Sequence, residues 1–271
     1  MKRLCIVTAL AVESRAWLDH FSMRQIKSRH IRLYGSEHHL LLETGVGKLN
    51  AAAATAAMLQ AHPDVSAIVN IGIAGGCLEL GQTVLAHQVV DQASGMQWFP
   101  HIPTAAPMRQ FDSCTVRTMD APCSDYSTGN VFDMECAGIF SAASHYLSSN
   151  QVHSIKVISD NPDIDYKSIN KQRVKGLITD AAPSLIELLD VFAEHITKLD
   201  PTQCVSTEQW ISQTLKQVHH SVNDEHQLRQ LVRQLMSLDE KIPQLPKQCH
   251  SAKTLRLALQ EQVSKAELNY E

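Results

Sequence analysis

The chain has 271 residues, with 24 Lys and Arg, 28 Asp and Glu, and a formal net charge of −4 at pH 7. This length accommodates one large α/β domain, or a domain of about 200 residues with a small appendage. Acidic and basic residues are interspersed without a basic stripe, which argues against nucleic-acid binding. The seven cysteines are scattered and odd in number, so they favour reduced thiols in a cytoplasmic protein over a disulfide framework or a zinc cluster.

The first elements are predicted to be a strand, a turn and a helix. The apolar run at residues 4–7 is too short for a signal segment or a membrane span, so we expect no membrane association. Apolar residues then recur at helical intervals between Leu10 and Phe21. Glu13 falls near the start of this helix, where an acid either favours the helix N-terminus or belongs to a site at the end of the strand. The residues alone favour the first interpretation.

Two glycine-rich segments follow. A strand pair at residues 31–34 and 39–42 precedes Gly45-Val46-Gly47-Lys48 and an alanine-rich helix that runs to about Gln60. Glycines before a helix allow backbone N–H groups to approach an anion, although a tight turn without a ligand is as consistent with the pattern. A buried strand at residues 65–71 leads into the second segment, residues 72–76. Two such strand ends in one half of the chain favour a ligand site.

The middle of the chain is predicted to contain two further strands and a long loop. The strands are residues 84–90 and 114–118, and between them lies a short aromatic segment with Trp98 and Phe99. These aromatic residues either form the wall of an apolar pocket or fill the core. Most of residues 100–130 is irregular, which is typical of a binding loop or a lid, with disorder as the alternative.

Two carboxylates then follow apolar strands. Glu135 lies at the junction of a strand beginning at Val131 and a helix of small residues beginning at Cys136. Asp160 ends the next apolar strand, residues 155–158. Because ligands of α/β proteins bind at the carboxyl ends of strands, the two acids predict a shared site.

The end of the chain is predicted to be helical. A tract at residues 171–199 reaches a boundary at Pro201, and residues 201–271 form an extension of three amphipathic helices. Their apolar stripes must pack on each other, on the preceding domain or on a partner. The histidine pairs of the chain lack the spacing of metal ligands on a helix, so no metal site is expected.

Five segments, in this order, resemble the purine-nucleoside and uridine phosphorylase superfamily, and within it the bacterial 5′-methylthioadenosine/S-adenosylhomocysteine nucleosidases. The resemblance covers residues 2–199. It implies a three-layer α/β/α fold with a mixed, partly barrel-like central sheet in residues 1–200, followed by the helical extension of residues 201–271. The segments are Ala9-Leu10-Ala11-Val12-Glu13, Gly45-Val46-Gly47-Lys48, Asn70-Ile71-Gly72-Ile73-Ala74-Gly75-Gly76, Asp133-Met134-Glu135 and Ile158-Ser159-Asp160.

The resemblance implies hydrolysis of the N-ribosidic bond of a purine nucleoside, such as 5′-methylthioadenosine or S-adenosylhomocysteine. By position, Glu13 matches the carboxylate that activates the attacking water, and Asp160 matches the acid that protonates the purine at N7. Glu135 matches the residue that binds the ribose hydroxyls. The other expected substrate contacts are Met134, which packs on the sugar, Gly75, Ser159, and Ile73, which stands where the relatives usually carry Ser or Thr.

The chemistry of the reaction is consistent with these roles. Cleavage through an oxocarbenium-like state needs an acid on the leaving group, a base for water and contacts to the sugar hydroxyls, and three carboxylates at strand ends supply them. No metal or other cofactor is required. The segment that would stack on the base is not recognisable, and Met119, Tyr126, Trp98 and Phe99 are the candidates for that wall.

Two other functions remain open. A phosphorylase would use phosphate as a co-substrate and would need cations, for which Arg15 and Lys48 are the nearest candidates. We favour hydrolysis, because a carboxylate at Glu13 repels a phosphate dianion. A non-catalytic nucleoside-binding or assembly protein of the same fold is the second alternative. Relatives are usually dimers or larger, so the resemblance also implies a homodimer or a higher homo-oligomer.

Overall fold

The computed structural model divides the chain into two units, Met1–Thr197 and Lys198–Glu271. The predicted boundary at Pro201 lies outside the described residues, so the division at residue 200 stays a prediction. Side chains of residues 194–198 and 263–268 are likewise outside the description. The structure describes residues 3–102, 108, 110–123, 125–126, 129–198, 210–216, 218, 220–221, 224–225, 227–229, 231–232 and 251–268.

The described part of the first unit is built on one mixed sheet of ten strands. They are β1 (Arg3–Thr8), β2 (Arg24–Ile26), β3 (Arg32–Gly35), β4 (His39–Glu43), β5 (Val65–Gly76), β6 (Thr83–Asp91), β7 (Gln97–Trp98), β8 (Asp112–Thr118), β9 (Val131–Asp133) and β10 (Val152–Asp160). Their order is β2-β3-β4-β1-β5-β9-β8-β6-β10, with β7 paired to β6. β10 also pairs with β5, so the five strands β5, β9, β8, β6 and β10 close into a barrel. The partly barrel-like sheet is therefore confirmed.

Helices cover both faces of this sheet. They are α1 (Ala11–His20), α2 (Lys48–Ala61), α3 (Cys136–Ala143) and α4 (Lys171–Lys198). Side chains of α2 and α3 share one core cluster with the strands, and side chains of α1 and α4 share another. Alternation along β1 explains the two clusters, since Cys5 and Val7 belong to the first and Leu4 and Ile6 to the second. The three-layer α/β/α arrangement is thus confirmed.

A glycine lets α2 and α3 pack closely together. Gly138 of α3 lies against the α2 backbone, where a Cβ atom would collide with the carbonyl oxygen of Lys48 and lie 3.2 Å from the amide nitrogen of Ala52. The two helices begin directly after Gly47 and Glu135, respectively. Close packing of the helices therefore brings these two residues together.

Most predicted strands and helices are confirmed, but β5 is longer than predicted. Residues 72–76 continue β5 instead of ending it, because they pair with β10 on one side and with β9 on the other. β9 runs antiparallel to β5, with Phe132 opposite Gly75, whereas β10 runs parallel to β5. Glu135 and Asp160 therefore reach β5 from strands of opposite direction. The short strand β2 was missed.

The described part of the second unit is helical. Its helical residues are 210–215, 224–225, 227–229 and 231–232, together with α5 (Ala252–Leu268). Within this unit the apolar side chains pack on each other, which is one of the three predicted alternatives. No helix in the described ranges of the chain combines the length and the apolar character needed to cross a bilayer. The buried apolar side chains that pack on each other in this second unit are those of Ile211, Leu215, Val218, Leu228, Val232, Ala252, Leu255 and Leu259.

Candidate active site

A cavity of about 210 Å³ lies beside the carboxyl ends of β5 and β10. β1, β5 and β10 run parallel, so their carboxyl ends lie at the same edge of the sheet. The structure brings all of the predicted site residues to this cavity, although they are spread along the sequence. Its lining includes Glu13, Ile73, Gly75, Met134, Glu135, Ser159 and Asp160.

Glu13 is a buried carboxylate that is held by backbone N–H groups. Its side chain accepts hydrogen bonds from the amides of Ala9 at 3.0 Å, Leu10 at 2.8 Å and Ile73 at 3.0 Å. Burial raises the pKa of Glu13, although these N–H groups and the charge of Lys156 act in the opposite direction. A fixed carboxylate with a raised pKa is a better proton acceptor than an ordinary glutamate.

The same contacts reconcile the two interpretations of Glu13. Its hydrogen bond with the Leu10 amide caps the start of α1, as expected for an acid at a helix N-terminus. Its hydrogen bond with Ile73 ties it to β5. Gly72 permits this approach, because a Cβ atom there would lie 3.1 Å from Glu13 Oε1. One carboxylate therefore begins the helix and also lines the cavity.

Glu135 accepts a hydrogen bond from the first glycine turn. Its Oε1 lies 2.7 Å from the amide nitrogen of Gly47, and Gly47 has a φ of +102°, which strains other residues. The turn therefore brings a backbone N–H group to a carboxylate of the protein itself, and contact of the turn with a ligand stays a prediction. Burial, followed by the charge of Asp133, raises the pKa of Glu135 to about 7.

Glu135→Gln is expected to stabilise the protein at pH 8 but not at pH 5. The folded-state pKa of about 7 lies above the ordinary value of 4.5, so the folded protein holds a proton that the unfolded chain releases between these pH values. The stability linked to this proton is lost as the pH rises through about 7. Removing the charge should restore on the order of 2 kcal/mol at pH 8, or roughly 4–8 °C in Tm.

Thermal unfolding at pH 5 and pH 8 measures this effect. Glu79→Gln is the matched control, because Glu79 is exposed and should show little change at either pH. An equal change in Tm at both pH values for Glu135→Gln would contradict the raised pKa.

Asp160 ends β10 with both carboxylate oxygens hydrogen-bonded. Oδ1 accepts from the Ser159 hydroxyl at 2.5 Å, and Oδ2 accepts from the Tyr126 hydroxyl at 2.5 Å. The Ser159 hydroxyl also lies 3.3 Å from the carbonyl oxygen of Ala74. Gly75 leaves room for the carboxylate, since a Cβ atom at this position would collide with Asp160. Asp160 lines the cavity, where it is accessible to a ligand.

Met134 and Ile73 contribute apolar lining. Met134 follows β9 directly and precedes Glu135. Ile73 packs partly against the core cluster of α1 and α4, and its amide binds Glu13. Any residue except proline could supply that amide. The departure from Ser or Thr at position 73 therefore changes only the side chain that faces the cavity.

The apolar wall differs from the prediction. Met119 lines the cavity, whereas Tyr126, Trp98 and Phe99 are not among its described lining residues, although Tyr126 contacts Asp160. For Trp98 the alternative of core packing is confirmed. Trp98 packs against the core cluster of α2 and α3, because β7 pairs with β6, and Phe99 is 62% exposed. Other wall residues come from the segments after β8 and β10 and were not predicted. They are Ala121, Pro122, Cys123, Tyr166 and Ile169.

The two basic residues considered for a phosphate site are engaged elsewhere. Arg15 forms an exposed ion pair with Asp19 at 3.0 Å. Lys48 Nζ lies 2.6 Å from Asp91 and 3.0 Å from Asp120. Among the residues that the structure describes, no Lys, Arg or His side chain lines the cavity.

Behind the cavity, Lys156 and Asp133 form a buried ion pair. This pair was not predicted. Lys156 Nζ lies 2.8 Å from Asp133 Oδ2 and 2.7 Å from Asn70 Oδ1. Asp133 also accepts hydrogen bonds from the Thr118 hydroxyl at 2.7 Å and the Cys136 amide at 2.8 Å. Burial lowers the pKa of Lys156, but the charge of Asp133 outweighs burial and raises it. A lysine within the apolar run of β10 is the signal that could have identified this pair.

Sequence comparisons match part of the chain to known proteins. A family model described as the phosphorylase superfamily matches residues 14–125. Over 98 residues, the chain is 34% identical to the 5′-methylthioadenosine/S-adenosylhomocysteine nucleosidase of Chromohalobacter salexigens. That alignment covers 33% of this chain and 41% of the relative, so the chain spans less than half the length of this curated relative.

Two solved structures share the fold. One is a 5′-methylthioadenosine/S-adenosylhomocysteine nucleosidase from Colwellia psychrerythraea in complex with adenine, with a TM-score of 0.59, 17% identity, and coverage of 70% of this chain and 95% of that chain. The other is the Streptococcus pneumoniae MTA/SAH nucleosidase in complex with 8-aminoadenine, with a TM-score of 0.58, 19% identity, and coverage of 69% and 98%. At these identities the likeness shows the fold alone, and it agrees with the predicted fold class.

Proposed function

Since the resemblance to the phosphorylase superfamily is confirmed in sequence and in fold, we propose that the chain is a nucleosidase. Its substrate would be a purine nucleoside such as 5′-methylthioadenosine or S-adenosylhomocysteine, whose N-ribosidic bond it hydrolyses. The observation that carries the proposal is the presence of Glu13, Glu135 and Asp160 around one cavity. The reaction needs an acid for the leaving base, a base for water and contacts to the sugar hydroxyls.

Asp160 is the proposed general acid. As the bond between the base and C1′ breaks, its electron pair moves to the purine, and Asp160 in its protonated form gives a proton to N7. The carboxylate that remains accepts the Ser159 hydroxyl, which already lies within hydrogen-bond distance of Oδ1. Charge on the leaving base is thereby neutralised while the bond breaks.

Glu13 is the proposed general base. It would take a proton from a water molecule while the water oxygen bonds to C1′, and the N–H groups of Ala9, Leu10 and Ile73 keep the carboxylate oriented. Glu135 would accept hydrogen bonds from the ribose hydroxyls, and Met134 would pack on the sugar. The products are the free purine and the free sugar.

The charges around the cavity favour hydrolysis over phosphorolysis. A phosphate dianion would lie near Glu13, which must be ionised to act as the general base, and Coulomb repulsion from this carboxylate would oppose its binding. Arg15 and Lys48 are both held in ion pairs and do not line the cavity. Water carries no charge and meets no such barrier.

Base release from a panel of purine nucleosides, measured with and without phosphate, tests the proposal. We expect adenine release from 5′-methylthioadenosine at a rate that added phosphate does not increase. The panel should include S-adenosylhomocysteine, adenosine and inosine to define the substrate. Turnover that requires phosphate would identify a phosphorylase, and calorimetric binding without turnover would identify a non-catalytic nucleoside-binding protein.

A further inference from the structure

Tyr126 is a buried residue that several contacts hold against Asp160. It is 5% exposed, and its ring centroid lies 6.2 Å from that of Phe132. Its backbone carbonyl oxygen accepts a hydrogen bond from the Cys77 thiol. Gly75 makes room for the ring, because a Cβ atom there would lie 2.9 Å from Tyr126 Cε1. The tyrosine hydroxyl is thereby held at 2.5 Å from Asp160 Oδ2.

Tyr126 contacts Asp160 but does not line the cavity. Asp160 belongs to the lining, whereas Tyr126, which the structure also describes, does not. A substrate in the cavity would therefore meet Asp160 and not the tyrosine ring. Any effect of Tyr126 on the reaction must act through the carboxyl group of Asp160.

The two oxygens of Asp160 have different hydrogen-bond partners. The Ser159 hydroxyl at Oδ1 has a second acceptor, the carbonyl oxygen of Ala74 at 3.3 Å. The Ser159 hydroxyl can therefore rotate so that it donates to the carbonyl oxygen of Ala74 and accepts a hydrogen bond from a protonated Asp160 Oδ1. Among the residues that the structure describes, the Tyr126 hydroxyl has one acceptor, Asp160 Oδ2, so it has no alternative direction in which to turn its proton. A proton on Asp160 is thus better accommodated on Oδ1 than on Oδ2.

We propose that Tyr126 is a positioning residue that occupies Asp160 Oδ2 and leaves Oδ1 to carry the proton for the leaving base. The inference rests on the proposed nucleosidase function. In the step, the proton on Oδ1 turns from Ser159 to the base, the Oδ1–H bond breaks, an N–H bond forms on the base, and the electron pair of the ribosidic bond moves to the base. Ser159 then turns its proton back to Oδ1, while Tyr126 continues to donate to Oδ2. The new carboxylate receives one O–H donor on each oxygen.

Tyr126→Phe tests this role while keeping the ring that packs on Gly75 and Phe132. Loss of a hydrogen bond to the carboxylate should lower kcat at the maximum of the pH–rate profile about tenfold and change KM less than about twofold. A loss of kcat without a matching change in KM would show that the contact acts on the chemical step and not on substrate binding, and an unchanged kcat would contradict the proposal. Tyr146→Phe, a partly buried tyrosine outside the cavity lining, is the control and should leave the profile unchanged.

A second measurement does not depend on turnover. In protein labelled with ¹³C at the aspartate γ-carbons, the Asp160 resonance is the one missing from Asp160→Asn. At one fixed pH, its chemical shift should differ between Tyr126→Phe and the native protein, because the carboxylate loses an O–H donor. An unchanged chemical shift would overturn the proposal whether or not the protein is active. A changed chemical shift without base release by the native protein would support the Tyr126 contact and refute the nucleosidase function.

Discussion

Asp160→Asn is expected to lower kcat for purine release by about 100-fold or more, because the amide cannot deliver the proton that the leaving base needs. The change keeps the size of the side chain, and the Asn oxygen can still accept the Ser159 hydroxyl that now binds Oδ1. Nucleoside affinity should therefore change only a few-fold. Initial rates of base release and calorimetric titration of the same nucleoside measure the two quantities separately.

Asp163→Asn is the matched control for this experiment. Asp163 is exposed in the turn after β10, so the same chemical change there should leave kcat unchanged. If Asp160→Asn keeps more than about a tenth of the native kcat, Asp160 is not the general acid. A native protein that binds the nucleoside without releasing the base would instead support the non-catalytic alternative.

Lys156→Met is expected to destabilise the fold by about 3–5 kcal/mol, because it leaves the carboxylate of Asp133 buried without its cation. Lys156 and Asp133 are 1% and 6% exposed, so water cannot replace the lost partner. Asn70 loses its contact with Lys156 Nζ as well. Urea unfolding followed by circular dichroism measures the change through the transition midpoint and its slope.

Arg15→Met is the control for the loss of an ion pair. The Arg15 and Asp19 side chains are 67% and 62% exposed, and such a surface pair contributes about 0–1 kcal/mol. A loss of less than about 1 kcal/mol for Lys156→Met would show that the buried pair is not important for stability. Similar losses for the two variants would lead to the same conclusion.

The sequence by itself determined the elements whose patterns are local. The apolar run of β1, the glycine turn before α2 and the small residues of α3 each predict one conformation from adjacent residues. The same local patterns placed Glu13, Glu135 and Asp160 at the ends of strands, and the structure brings all three to one cavity. This succeeded because strand alternation and helix initiation depend on neighbouring residues.

Only the tertiary structure decided the features that join distant residues. The antiparallel direction of β9 and the closure of β10 on β5 depend on strand pairing, which no local pattern encodes. The Lys156 and Asp133 pair forms because two strands place opposite charges in the same dry core. Tyr126 reaches Asp160 because Gly75, on a third segment, carries no side chain to separate them. Such contacts arise when the chain packs, so they appear only in the folded molecule.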